Sequence, residues 1–216
     1  MVDMDKVVVV AVHPDDETLG CGGTIIKHLK NGDEVHCILV TSGNKEQKVI
    51  WEKVKVAYGF SSVVELDFPE LDLADISLNK LIPAFSNAIN RLKPTILYIP
   101  NRSDVHSDHQ AVYKAVSACT KTFRYPFIEK VLMCEVVSET DFTLPNPESV
   151  FVPNYFVDIT DEMSKKLEIF KLYDSEHLPY PSTRNESTVV ALNRYRGSLI
   201  CAEYAEAFVS LKIIVR

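Results

Sequence analysis

The feature that most restricts the fold is the run Lys6-Val7-Val8-Val9-Val10-Ala11-Val12, apolar at every position after the lysine and almost wholly β-branched. Such residues lose rotamer freedom in a helix and pack well on a pleated surface. A strand apolar on both faces must be covered on both, as in the centre of a parallel sheet flanked by helices. The following residues keep that pattern. Leu19, Ile25, Ile26 and Leu29 hold helical spacing, and Asn31-Gly32 supplies a stop. EVHCILVT is a second strand, Lys45 to Tyr58 a charged amphipathic helix, and SSVVELDF a third strand. A helix from Ile76 to Leu92 stops before Pro94, and TILYIP is a fourth strand. This order predicts an α/β fold, a Rossmann-like, mostly parallel sheet flanked by helices with strand one beside strand four.

Beyond the loop NRSDVHSDH, a helix is expected from His109 to Cys119, and strands in KVLMCEVV and VFVPNYFVDI around the turn-rich TLPNPES. A helix from Thr160 to Tyr173, with Thr160 as its N-cap, precedes a last helix near Asn185 to Gly197, the segment CAEYAEAF and a short apolar tail. These form a C-terminal β/α elaboration. No repeat or linker divides the chain, so a single domain over residues 1–216 is expected. With 46% hydrophobic and 25% charged residues, that length supports one core and excludes disorder.

A net charge of −7 argues against nucleic acid, whose backbone is held by clustered Lys and Arg. No apolar stretch reaches the roughly 18 residues of a membrane span. The start MVDMDK carries acids where a secretory signal is basic, so a cytoplasmic location is expected. Five scattered cysteines without a C-x-x-C pair are expected to be reduced, buried thiols. Trp51 and the Tyr155-Phe156 pair are expected to pack in the core.

Two polar clusters fall at strand ends, where α/β sheets bind ligands: His13-Pro14-Asp15-Asp16-Glu17 after strand one and Asp104-Val105-His106-Ser107-Asp108-His109 after strand four. Two imidazoles and a carboxylate from these loops make an open zinc site, although a thiolate-free set also accepts other divalent ions. Adjacent aspartates let one ligate and the other take a proton. Two histidines three apart let one ligate and the other stabilise an oxyanion. The bland alternative is a polar loop in which an Asp caps helix one. Gly20, Gly22 and Gly23 form no G-x-G-x-x-G and point to close helix packing rather than to a dinucleotide.

With these residues the chain resembles the PIG-L/LmbE-like family of zinc-dependent N-acetylsugar deacetylases. The resemblance rests on AVHPDDETLGCGGTI, D-V-H-S-D-H-Q-A-V, CEVVSETDF, YDSEHLPYPSTR and RYRGSLICAEYAEAF, in that order, and so covers most of the chain. It implies zinc on His13, Asp16 and His109, Asp15 as general base, His106 as transition-state stabiliser and Asp108 as the carboxylate that orients a histidine. Substrate contacts are expected from Arg184, on a sugar hydroxyl or phosphate, from Asp104, and from Lys48. Lys48 is the candidate nearest to an arginine that many relatives carry early in helix two. The implied activity is removal of acetyl from an N-acetylglucosamine-type sugar or its conjugate, with Asp15 or His106 protonating the leaving amine. The partner is then a small molecule, and a homo-oligomer is compatible with the sequence. Two alternatives stand beside it: a phosphoacceptor receiver-like switch, which shares an acidic pair after a buried strand, and a non-catalytic zinc-dependent carbohydrate-binding protein.

Overall fold

The computed structural model of the chain describes residues 4–216. Its strands are β1 (Lys6–Ala11), β2 (Glu34–Thr41), β3 (Ser62–Phe68), β4 (Ile96–Ile99), β5 (Lys130–Cys134), β6 (Tyr155–Asp158) and β7 (Ala205–Ile213). The helices are α1 (Asp16–Lys30), α2 (Lys45–Tyr58), α3 (Leu78–Leu92), α4 (Ser107–Ala118), α5 (Met163–Phe170) and α6 (Glu186–Ser198). All strands lie in one sheet of order β3-β2-β1-β4-β5-β7-β6. The first five are mutually parallel, and β7 runs antiparallel between β5 and β6.

β1 is therefore central, and its continuous apolar run divides between two cores. Val7, Val9 and Ala11 pack with Leu19, Trp51, Phe170 and Val189 of α1, α2, α5 and α6. Val8 and Val10 pack with Leu81, Phe85, Val112 and Val116 of α3 and α4. Alternate side chains point to opposite faces of a strand, so both faces need apolar residues. α2 has the bounds that its sequence predicts. A capping box between Asn44 and Gln47 starts it, and Gly59, at φ 74°, ends it in the left-handed region.

The C-terminal part departs from expectation in detail. Thr160 is not an N-cap: its amide and hydroxyl both donate to Asp158 Oδ1, and α5 starts at Met163 with no side-chain cap. β5 stops at Cys134, short of the apolar Val136 and Val137, and CAEYAEAF leads into the nine-residue strand β7. Four cysteines are buried, but Cys201 is exposed. Trp51 is in the core, whereas Tyr155 and Phe156 are only half-buried.

One buried ion pair holds α1 to the elaboration. α1 breaks at Cys21 (φ −151°, ψ 25°), which frees the amides of its next turn. The Glu206 carboxylate accepts from Gly23 N at 2.9 Å and Thr24 N at 2.7 Å, and Lys166 Nζ donates to it at 2.7 Å and to Leu19 O at 3.1 Å. A Cβ on Gly23 would lie 2.8 Å from Ile159, which is why the helix can approach this closely. Glu206→Ala strands a buried ammonium and two amides, and is expected to destabilise by about 3 kcal/mol or more in urea unfolding. Lys166→Met combined with Glu206→Gln, which buries no charge, should cost clearly less.

Candidate active site

β1 and β4 are parallel neighbours, so the segments that follow them emerge at the same sheet end, where the chain switches from building one side of the sheet to the other. There the structure brings His13, Asp16 and His109 together, all buried. His109 Nε2 lies 3.2 Å and His13 Nδ1 3.8 Å from Asp16 Oδ2. The remaining nitrogen of each ring is held by a carboxylate. His109 Nδ1 donates to Asp104 at 2.8 Å, and His13 Nε2 donates to Asp108 at 3.2 Å. Those bonds leave the lone pairs of His109 Nε2 and His13 Nδ1 facing Asp16.

His109 Nε2 and Asp16 Oδ1 are buried without a hydrogen-bond partner. Unpaired buried polar atoms are costly, and two of them among three converging donors fit a divalent cation. Burial opposes ionisation of Asp16, yet His109 and then His13 hold its carboxyl well below the usual carboxylate range. Burial likewise disfavours protonation of His109, but Asp16 and Asp104 outweigh it and raise its pKa. A second grouping, His13, His106 and Asp108, is already engaged internally, because Asp108 also accepts from Leu71 N at 2.8 Å and Leu73 N at 3.1 Å.

Asp15 sits at φ 123°, a conformation that few non-glycine residues adopt and that persists only where its surroundings impose it. Its carbonyl accepts from Thr18 N and Leu19 N and so begins α1, but its side chain caps nothing. The capping alternative therefore fails for Asp15. Its amide donates to Glu17 at 3.2 Å, and the buried Glu17 in turn accepts from Thr18 Oγ1 and the Tyr173 hydroxyl. Burial pushes Glu17 up to about 7. Burial also raises Asp15, against the pull of Arg184, whose Nη1 donates to Asp15 Oδ2 at 3.0 Å.

His106 is the N-cap of α4, and its Nδ1 accepts from Asp108 N at 3.1 Å. In the neutral ring the proton therefore sits on Nε2. His13, Asp15 and His106 line a cavity of about 120 Å³, closed by Gln47, Glu70, Glu139, Glu176 and Arg184.

Of the three expected substrate contacts, one reaches the cavity. Asp104 is fully buried and spends its carboxylate on His109 and on Thr140 Oγ1 at 2.7 Å, so it positions a ring rather than meeting a substrate. Lys48 lines the adjoining cleft, 3.7 Å from Asp67, while its neighbour Gln47 faces the cavity. Arg184 does reach the mouth, but Asp15, Glu176 (2.5 Å) and Glu139 (3.2 Å) already surround its guanidinium. Sequence reasoning did not single out Glu139, Glu176, Glu70 or Gln47. An acid a few residues past the end of a buried strand, as Glu139 is, was the available signal. Arg194 and Arg196 bind Tyr204 and Glu135, away from this cavity.

The family model described as PIG-L, GlcNAc-PI de-N-acetylase, matches residues 8–120. The uncharacterized deacetylase YaiS of Escherichia coli K12 is 25% identical over 181 residues, covering 78% of this chain and 90% of that protein. Diacetylchitobiose deacetylase of Thermococcus kodakarensis is 24% identical over 230 aligned positions, covering 94% of this chain and 82% of that one. Among solved structures, the conserved protein TT1542 of Thermus thermophilus superposes with a TM-score of 0.79 at 25% identity, covering 99% of this chain and 97% of that one. GalB, a 4-carboxy-2-hydroxymuconate hydratase from Pseudomonas putida KT2440, reaches 0.74 at 16% identity over 99% of this chain and 98% of its own. That likeness is one of fold alone, and it shows that the scaffold carries more than one chemistry. The family model, by contrast, takes in both polar clusters and over half of the sequence: the chain belongs to the PIG-L family.

Proposed function

We propose that this protein is a metal-dependent N-deacetylase that hydrolyses the acetamide of an N-acetylated amino sugar, with residues 1–216 acting as one catalytic domain. The observation that carries this is the pair of unpartnered buried atoms, His109 Nε2 and Asp16 Oδ1, converging with His13 beside the strained Asp15. The deacetylase relatives support it, and five unpaired cysteines fit a reducing, cytosolic setting. Among the described residues, no helix is long and apolar enough to cross a membrane.

His13, Asp16 and His109 would hold the cation, with zinc the best fit to two nitrogens and one oxygen. A bound divalent ion supplies Lewis-acid activation of the acetamide and of the attacking water. Asp15 takes the water's proton, and Arg184 holds its carboxylate in place for that transfer. Neutral His106 directs Nε2–H at the developing oxyanion. Because that ring then has no readily lost proton, Asp15 returns the proton it has taken to the departing amine. Asp104 and Asp108 fix the tautomers of His109 and His13.

Elemental analysis of the purified protein, paired with acetate release from N-acetylglucosamine and its conjugates before and after chelation, tests this proposal. About one metal per chain and reversible loss of activity are expected. Full activity in verified metal-free protein would sink it. Asp104→Asn should weaken metal affinity about 10–100-fold, because it removes the carboxylate that sets the His109 ring, while leaving all three ligands present. Competitive chelator titration measures this directly.

A further inference from the structure

Acid outnumbers base around the cavity. Asp15, Glu70, Glu139 and Glu176 line it, and Arg184 is the only Lys or Arg side chain among its lining residues. Nη1 of Arg184 donates to Asp15 and Glu176 and Nη2 to Glu139, so three carboxylates already surround and offset its charge. Glu139 is 6% exposed, and its Oε2 has no partner. That buried acceptor awaits a donor rather than an anion. The exposed Glu70 also lines the adjoining cleft, the route by which a group attached to the sugar would leave so small a cavity. In that cleft Lys48 is already close to Asp67.

From these contacts we infer that the site selects its substrate by charge: it takes an N-acetylated amino sugar whose attached group carries a protonated amine in preference to one that carries phosphate. The inference rests on the deacetylase function proposed above and narrows its substrate class. An ammonium passing from the cavity, which Glu176 lines, into the cleft meets Glu70, whereas a phosphate meets the same carboxylates while Arg184 and Lys48 already face carboxylates of their own. A divalent ion on His13, Asp16 and His109 would be held among buried residues beside Asp15, whereas the exposed Glu70 lines the cleft that the attached group enters. The chain's net charge of −7 acts in the same direction at longer range.

The test compares three soluble probes that share a non-reducing N-acetylglucosamine: N,N'-diacetylchitobiose, the same disaccharide with a free amine on its reducing-end sugar, and N-acetylglucosamine 1-phosphate. At low ionic strength kcat/KM for the amine probe should exceed that for the phosphate probe by about tenfold or more. The gap should shrink in about 0.5 M salt, which screens exposed charges. Glu70→Gln, at an exposed position, should narrow it as well. Equal or faster turnover of the phosphate probe overturns the inference, as does a gap indifferent to both salt and Glu70→Gln. If no probe releases acetate, the deacetylase function fails. Calorimetric titration of the metal-loaded protein with the same probes then still decides the charge preference, because tighter binding of the phosphate probe refutes it by itself.

Discussion

Replacing Asp15 by asparagine is expected to lower kcat by about 10²–10⁴-fold while leaving the metal bound and the protein folded, the usual span for loss of a general base. The retained fold follows from the backbone. Asn tolerates positive φ about as well as Asp, so the imposed φ of 123° survives a substitution that would strain most other side chains. The retained metal follows from the contacts, because Asp15 points to Arg184 while Asp16 faces both imidazoles. What the amide cannot do is accept the proton of the attacking water. Metal content, circular dichroism and single-turnover acetate release together separate these effects. A variant that binds sugar and metal but releases no acetate fits an enzyme. A wild-type protein that behaves in the same way fits the carbohydrate-binding alternative. If Asp15→Asn loses metal and Asp16→Asn keeps it, the two aspartates have exchanged roles. If neither variant slows, Glu139, the other buried carboxylate with a free oxygen at the cavity, is the next candidate base.

Most of the parallel half of the sheet is legible in the sequence because its signals are local. β1 is apolar throughout because it feeds two cores, and the Asn44, Gln47 and Gly59 signals bound α2 without help from distant residues. β7 is hidden because its pattern is broken by a charge at a core position. Glu206 lies on the same strand face as Phe208, and what makes that tolerable is Lys166, 40 residues away, together with the α1 amides more than 180 residues away. The candidate site divides in the same way. Residue types and strand ends indicate that the two polar clusters converge, since β1 and β4 are neighbours, and the family resemblance singles out His13, Asp16 and His109 within them. Nothing local shows that Asp104 turns inward to His109, or that Arg184 arrives at the mouth already ringed by Asp15, Glu139 and Glu176. The alternative of a receiver-like switch drew on the same acidic pair, and the family match across both clusters removes it.

His109→Ala is expected to abolish both metal binding and activity, the largest change of any single substitution considered. His109 is fully buried and stands between two carboxylates, Asp104 at 2.8 Å and Asp16 at 3.2 Å. Removing the ring takes away one of three protein ligands, and the two aspartates lose the group that stands between them. Bringing a cation back would then require a buried Asp104 with no histidine to hold and an Asp16 supported by His13 alone. Stability should report this independently of catalysis. A ligand bound only by the folded state stabilises it by about 4 kcal/mol when present at roughly a thousand times its Kd. The wild-type Tm should therefore rise with added zinc and fall with chelator, and the Tm of His109→Ala should respond to neither. Asp16→Ala should behave alike, whereas His106→Ala, which removes the oxyanion donor and no ligand, should keep the zinc-dependent rise in Tm while losing rate. A His109→Ala protein that retains stoichiometric metal and turns over would place the cation elsewhere, and with it the attacking water and the proton that Asp15 is proposed to carry.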